Sequence, residues 1–331
     1  MKYVIIAILS LLLWNCKDQN QAESQEEKPV KTKNIVSKEG AVHPVAPELF
    51  SQFINVRDFT INTEGNEAYF TLLSPARELS VIMRIQKENN AWSEPKITSF
   101  SGQYIDLEPY LSPDGLQLYF ASNRPVSKDS THTKDFDIWY VERSQKDSKW
   151  SEPKHIKAPV NSTYDEFYPA ITLSKNLYFT AIKEGMNGQD DIFMSRWNGN
   201  SYEEPIALSE GVNTKGAEFN AYVAPDESYI LFSGWRRPDG IGSGDLYMSK
   251  REQGKWQTAV NLGATINSEH TDYCPFVNTV TGTLYFTSRR SYVEKKDAGY
   301  TNYNELLTEI NRYDNGSSRI YKVDITDLIS Q

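Results

Sequence analysis

The chain is poor in cysteine and histidine, carries no excess of basic residues, and lacks any apolar run long enough to span a bilayer. Two cysteines, Cys16 and Cys274, stand among 331 residues, so an internal disulfide framework is excluded once Cys16 is accounted for. The net charge of −9 and the missing Lys/Arg stripe argue against nucleic acid as a partner and against charge-driven binding to anionic lipid. No Gly-x-Ser-x-Gly elbow, His-Glu-x-x-His pair or Gly-rich phosphate loop is present. The four histidines (His43, His132, His155, His270) are scattered and read as surface residues.

The longest apolar stretch, Tyr3 to Trp14 after Lys2, is too short to cross a membrane and suits the h-region of a signal peptide. It ends at Cys16, and "LWNC" resembles a bacterial lipoprotein signal in which that cysteine becomes the lipidated first residue. Asn15 and Trp14 depart from the small residues usual there. Residues 1–16 are therefore expected to be a signal ending in a lipidated Cys16. Residues 17–40, rich in Gln, Glu, Lys and Asn, are expected to form a flexible tether, and 41–331 the folded domain. The implied location is the outer membrane, held by the lipid alone, on its periplasmic or surface side.

What the chain does have is aromatic residues, 20 Tyr, 14 Phe and 7 Trp, which suit half-buried sheet surfaces. They recur in a pattern. "DLEPYLSPDGLQLYFASNR" is echoed by "DEFYPAITLSKNLYFTAIK", "EFNAYVAPDESYILFSGWR" and "DYCPFVNTVTGTLYFTSRR", with a weaker copy in "VRDFTINTEGNEAYFTLLS". Each reads as strand, tight turn and strand, at a period of roughly 50 to 60 residues. Alternating third strands follow: "SVIMRI", "DIWYVE", "DIFMSR", "DLYMSK", "RIYKVD". Fourth elements begin at Trp92, Trp150, Tyr202 and Trp256, the first three with a proline that suits an outer edge strand.

These units predict an all-β chain forming a single β-propeller of five four-stranded blades. The last copy lacks its fourth strand, so residues near Ala41 to Leu49 are expected to supply it and close the ring. A sixth blade would need some 50 residues that are not there.

The "LSPDGLQLYF…DIWYVER" pattern resembles the TolB-type propeller repeat, a Ser-Pro-Asp-Gly relative of the WD repeat, over roughly residues 45 to 328. The resemblance implies the fold. Repeats of this type serve periplasmic partner-binding proteins, gating domains of peptidases and envelope lipoproteins of Bacteroidetes-like bacteria, so it does not choose a function.

Candidate site residues come from the repeat itself. Where each first strand begins, the aligned positions are Val56, Asp106, Glu166, Glu218 and Asp272; where each second strand ends, they are Ser74, Arg124, Lys183, Arg236 and Arg290. Four of five are acidic in one set and four of five basic in the other, and the first blade departs in both. Two readings fit: a lattice of ion pairs fixing the blades, or a ligand site at the channel mouth for a sugar, a peptide terminus or Ca²⁺. Loops between second and third strands should crowd the same face. The longest, residues 291–318, carries Tyr300 and Tyr303 as candidate binding residues, and "YNELLTEINRY" reads as a short helix that could instead plug the channel. No organic cofactor is implied. Calcium is the one ion that Asp190, Asp191 and Asp245 invite, without a full Ca²⁺-loop spacing. Cys274, on a channel-lining strand, reads as a small buried hydrophobe.

The expected function is a lipid-anchored binding module for an envelope protein or a glycan. The alternative is a glycoside hydrolase or polysaccharide lyase that uses inward carboxylates.

Overall fold

The computed structural model describes residues 41–127, 135–183 and 189–330. Cys16, the tether, His132 and parts of two loops between second and third strands lie outside them. Five antiparallel sheets follow in chain order. Their first strands are Asn55–Ile61, Asp106–Leu111, Glu166–Ile171, Ala217–Val223 and Asp272–Asn278, and each touches the first strands of its neighbours in a closed ring. Second strands (Glu67–Leu73, Gln117–Ser122, Leu177–Ala181, Tyr229–Trp235, Thr283–Ser288) and third strands follow outward, so the chain is a five-bladed β-propeller, as the repeat predicts.

The fourth position is thinner than the sequence suggests. The tryptophans do not open full strands. Lys96–Ile97, Lys154–His155 and Ile206–Ala207 pair over two residues each, just after Pro95, Pro153 and Pro205. Proline lacks the N–H that would extend the ladder. Trp92 and Trp256 instead pair back on Lys87 and Arg251 at the ends of their own third strands.

Closure occurs where the sequence places it. His43 and Pro44 pair with Lys322 and Tyr321 of the last third strand, Arg319–Asp324. The Tyr313 hydroxyl donates to the carbonyls of Val45 (3.2 Å) and Ile320 (2.8 Å), fastening that strand. The first and last strands of the described residues therefore lie in one sheet, which removes an exposed edge.

All five first strands kink at the same place. Asp58, Glu108, Tyr168, Asn220 and Cys274 each stand at positive φ, between 47° and 61°, and each marks a break in register with the second strand. A non-glycine residue there costs roughly 1–3 kcal/mol and persists only when its surroundings hold it. A bond across each blade boundary does so. The amides of Asp58, Glu108, Asn220 and Cys274 donate to the hydroxyls of Thr287, Thr71, Thr180 and Ser233, each on the preceding blade's second strand, at 3.1–3.3 Å. Blade 2 has Ala121 at that position, and the Tyr168 amide donates instead to Oε2 of Glu108 at 2.7 Å.

The long connection after blade 5 carries the predicted helix, Tyr303–Ile310, capped by Asn302 accepting from the Glu305 amide; none of its residues is buried.

Candidate functional site

The recurrent acidic residues sit at blade junctions with fully buried side chains. Arg124 reaches Asp106 at 2.5 Å and Arg290 reaches Asp272 at 2.9 Å. Each guanidinium also donates to a carbonyl of the loop arriving from the preceding blade, Phe100 (2.9 Å) and Ile266 (2.8 Å). Each stacks on its blade's aromatic pair, Arg124 over Phe120 and Trp139, Arg290 over Phe286 and Tyr321. From the other side, a hydroxyl in the arriving loop donates to each carboxylate: Ser101 to Asp106, Ser162 to Glu166, Thr214 to Glu218 and Ser268 to Asp272, at 2.5–2.8 Å. The carboxylates thus bind loop to blade, and the geometry matches the lattice reading.

One aligned residue needs correction. Arg237, not Arg236, pairs with Glu218, at 2.9 Å. Arg236 takes positive φ (60°) and turns outward over the Trp235 ring, which moves the inward position on by one residue. Gly234 makes room, since a Cβ there would stand 2.6 Å from Arg237 Cδ.

Blade 3 keeps the acid but has lysine. The Lys183 ammonium lies over Phe179 and Phe193 as the arginines lie over theirs, but among the described residues Glu166 is hydrogen-bonded only by Ser162. Burial pushes the Glu166 carboxyl up to about 7, against the pull of the Ser162 bonds and of Lys183.

Blade 1 replaces the pair with apolar packing. Val56 is buried, Ser74 turns to Glu78, and Phe70 is met by Phe50 and Phe53 at 5.0 and 6.3 Å. Both charges are missing together because the N-terminal segment fills their place.

The cavity at the channel mouth is built one residue further along each first strand. Arg57, Leu107, Phe167, Phe219 and Tyr273 occupy equivalent positions and line a space of about 580 Å³ on which all five blades converge. Loop residues Phe136, Asp190, Arg77 and Arg289 complete its rim. That volume falls within the range of ordinary ligand sites. At its floor Arg57 donates to Asp58 (2.7 Å), to Glu108 (2.9 Å) and to the Cys274 sulfur (3.4 Å). Burial works against the Arg57 cation, but the Asp58 and Glu108 carboxyl groups hold it firmly charged. Burial raises the Glu108 carboxyl, with Arg57 pulling it down and Asp58 pushing it further up. Burial also raises Asp190.

Neither Tyr300 nor Tyr303 lines this cavity. The Tyr300 hydroxyl donates to the Glu294 carbonyl within the insert, and Tyr303 is exposed. Asp245 accepts the amides of Ile241 and Gly242 and the Asn261 side chain; among the described residues no cluster of three or more acidic, His or Cys side chains forms a metal cage. Cys274 is buried, with its thiol pushed well up by burial and by Asp58. His155, expected at the surface, is partly buried and 2.9 Å from Asp137.

The mouth ring leaves little trace in the sequence because its members share no residue type. Two signals stand in the repeat: a hydroxyl residue after the second-strand Phe in every blade except at Ala121, and the residue directly after each recurrent acid.

No protein-family model matches the chain, and no curated protein matches it in sequence. Among solved structures it is similar to the GH43 endo-arabinanase from Bacillus licheniformis: 14% identity, TM-score 0.50, covering 82% of this chain and 93% of that one. It is also similar to the α-L-arabinofuranosidase PaAbf62A from Podospora anserina in complex with cellotriose, at 10% identity and TM-score 0.50, covering 86% and 96%. The putative TolB from Agrobacterium tumefaciens matches at 12% identity and TM-score 0.46, covering 76% and 79%. At such identities the likeness is one of fold, and the fold is the five-bladed propeller.

Proposed function

We propose that this chain is a non-enzymatic binding propeller of the cell envelope, anchored through a lipid on Cys16, that receives a glycan or protein ligand in its central mouth. One observation carries the reading: the recurrent carboxylates are spent on holding blades and loops together, while the mouth one residue along is lined mainly by aromatic, aliphatic and guanidinium side chains. A hydrolase acting there would need two carboxyl groups about 5 to 10 Å apart across the sugar. Glu108 is held by Arg57 and by the Tyr168 amide, which suits it to shaping the floor rather than to moving a proton to substrate.

Two measurements test the reading. Incubating the chain with arabinan, the polymer suggested by the name of one structural neighbour, should release no reducing ends. Release that disappears in Glu108→Gln and Asp190→Asn would replace the binding reading with the hydrolase. Separately, Cys16→Ser should move the protein from the membrane to the soluble fraction; continued membrane association would remove the lipid anchor from the account.

A further inference from the structure

The mouth has two unlike sides. Blades 1 and 5, neighbours across the ring closure, bring Arg77 and Arg289 to its rim and Arg57 to its floor. Blades 2 to 4 bring Leu107, Phe136, Phe167 and Phe219, with the Asp190 carboxylate at the rim and Glu108, held by Arg57, at the floor. The rings of Phe136 and Phe167 are 5.0 Å apart and inclined at 39°, forming one apolar wall.

The arginines differ in what they have left to offer. Arg57 is committed to Asp58 and Glu108. Neither Arg77 nor Arg289 has an ion-pair partner among the described residues; the only side-chain bond of Arg289 there is a long one, 3.5 Å, to the Gly316 carbonyl. Their backbones are fixed, Arg77 by its amide on Ser74 (3.0 Å) and Arg289 by its amide on Thr271 (2.8 Å). In a chain of net charge −9, two exposed guanidinium groups without ion-pair partners among the described residues, carried on bonded backbone at one cavity, form a local anion-seeking edge. Guanidinium pairs with carboxylate in a planar, bidentate geometry that an ammonium does not reproduce.

Building on the mouth as the binding site, we propose that its ligand is an acidic glycan carrying uronate residues. A uronate pyranose offers a C–H-rich face to the phenylalanine wall and an equatorial carboxylate to the opposite arginine edge. An extended acidic peptide fits less well, because strand addition needs free backbone groups. At the mouth those groups are used: the amides of Val56, Glu166, Glu218 and Asp272 bond carbonyls of the preceding blade at 2.8–3.0 Å, and the amides two residues on are bonded as well.

Titration calorimetry on the full-length chain tests this. The probes are trisaccharides of galacturonate, glucuronate and mannuronate, their carboxyl-reduced neutral counterparts, and tri-glutamate. At least one uronate should bind, at least 10-fold more tightly than its neutral counterpart, and more weakly as salt rises. The double variant Arg77→Gln/Arg289→Gln should lose that preference with its melting temperature unchanged, and Phe219→Ala should weaken uronate and neutral sugar alike while still melting cooperatively well above the assay temperature. Neutral sugars binding as tightly as uronates, with loss in Phe219→Ala, would overturn the acidic ligand and leave the mouth standing. Preference for tri-glutamate would overturn the glycan class. Uronate binding that ignores both variants would overturn the mouth itself, and no uronate binding at millimolar concentration would overturn the proposal outright.

Discussion

Arg237 donates from Nη1 to Oε1 of Glu218 at 2.9 Å, and both side chains are nearly sealed from water. Its neighbour Arg236 is exposed and lies against Trp235. Two adjacent arginines of identical chemistry thus differ only in placement. Removing one partner of a buried pair leaves the other charge stranded, at a cost of roughly 3–5 kcal/mol. Losing an exposed cation–π contact costs about 0.5–1 kcal/mol. Denaturant unfolding of Arg237→Ala and Arg236→Ala should separate them by at least about 2 kcal/mol, on the difference between those two ranges. Equal losses would mean that the inward arginine has been misassigned.

The break in the hydroxyl ring at Ala121 gives a second expectation. Glu108 receives the Tyr168 amide because Ala121 has no hydroxyl to offer. Glu108→Gln weakens that bond and the bond to Arg57, and should destabilise the fold by about 1–3 kcal/mol. Ala121→Ser should recover about 1 kcal/mol in that background, by supplying the hydroxyl the other blades use, and little or nothing in the parent. Chemical denaturation of the four proteins of this cycle measures the coupling. A recovery equal in both backgrounds would show that the introduced hydroxyl acts elsewhere.

Glu166 lacks the arginine its counterparts have, and its folded pKa of about 7 lies above the 4.5 of the unlinked group. A raised carboxyl binds its proton more tightly in the folded state. Its stabilising contribution is therefore complete below pH 4.5 and is lost as pH rises through about 7. Glu166→Gln removes the titration. The melting temperature of the variant relative to the parent should climb steadily from about pH 5 to about pH 8, the window that brackets that titration. A flat difference across that range would show that Glu166 stays ionised throughout.

Much of the fold was legible because each blade repeats one pattern: a turn, a second-strand aromatic such as Phe120 or Phe286, and alternating third strands. The closing strand was legible because the fifth copy ended one element short. Alignment also found Asp106 with Arg124 and Asp272 with Arg290, since those blades keep the same spacing. It failed at Arg236, where a residue at positive φ shifts the inward position by one, and backbone conformation leaves little trace in the letters. The mouth ring was hidden for the opposite reason. Arg57, Leu107, Phe167, Phe219 and Tyr273 have equivalent places in the five blades but no common chemistry, so no repeated letter marks them. Tyr300 and Tyr303 drew notice through composition alone, and the insert keeps them away from that cavity.

Glu218 and Phe219 are adjacent, one facing a blade junction and the other the mouth proposed to bind the ligand, and they separate the two roles. The decisive measurement is a melting temperature taken beside binding on an array of neutral and uronate oligosaccharides, for Glu218→Ala and Phe219→Ala. Glu218→Ala should unfold several degrees lower, for a loss of about 3 kcal/mol or more, and keep its array pattern below its melting point. Phe219→Ala, at a half-buried side chain, should melt closer to the parent than Glu218→Ala does and lose array binding. The reverse outcome, with binding lost at Glu218 and stability lost at Phe219, would contradict the account.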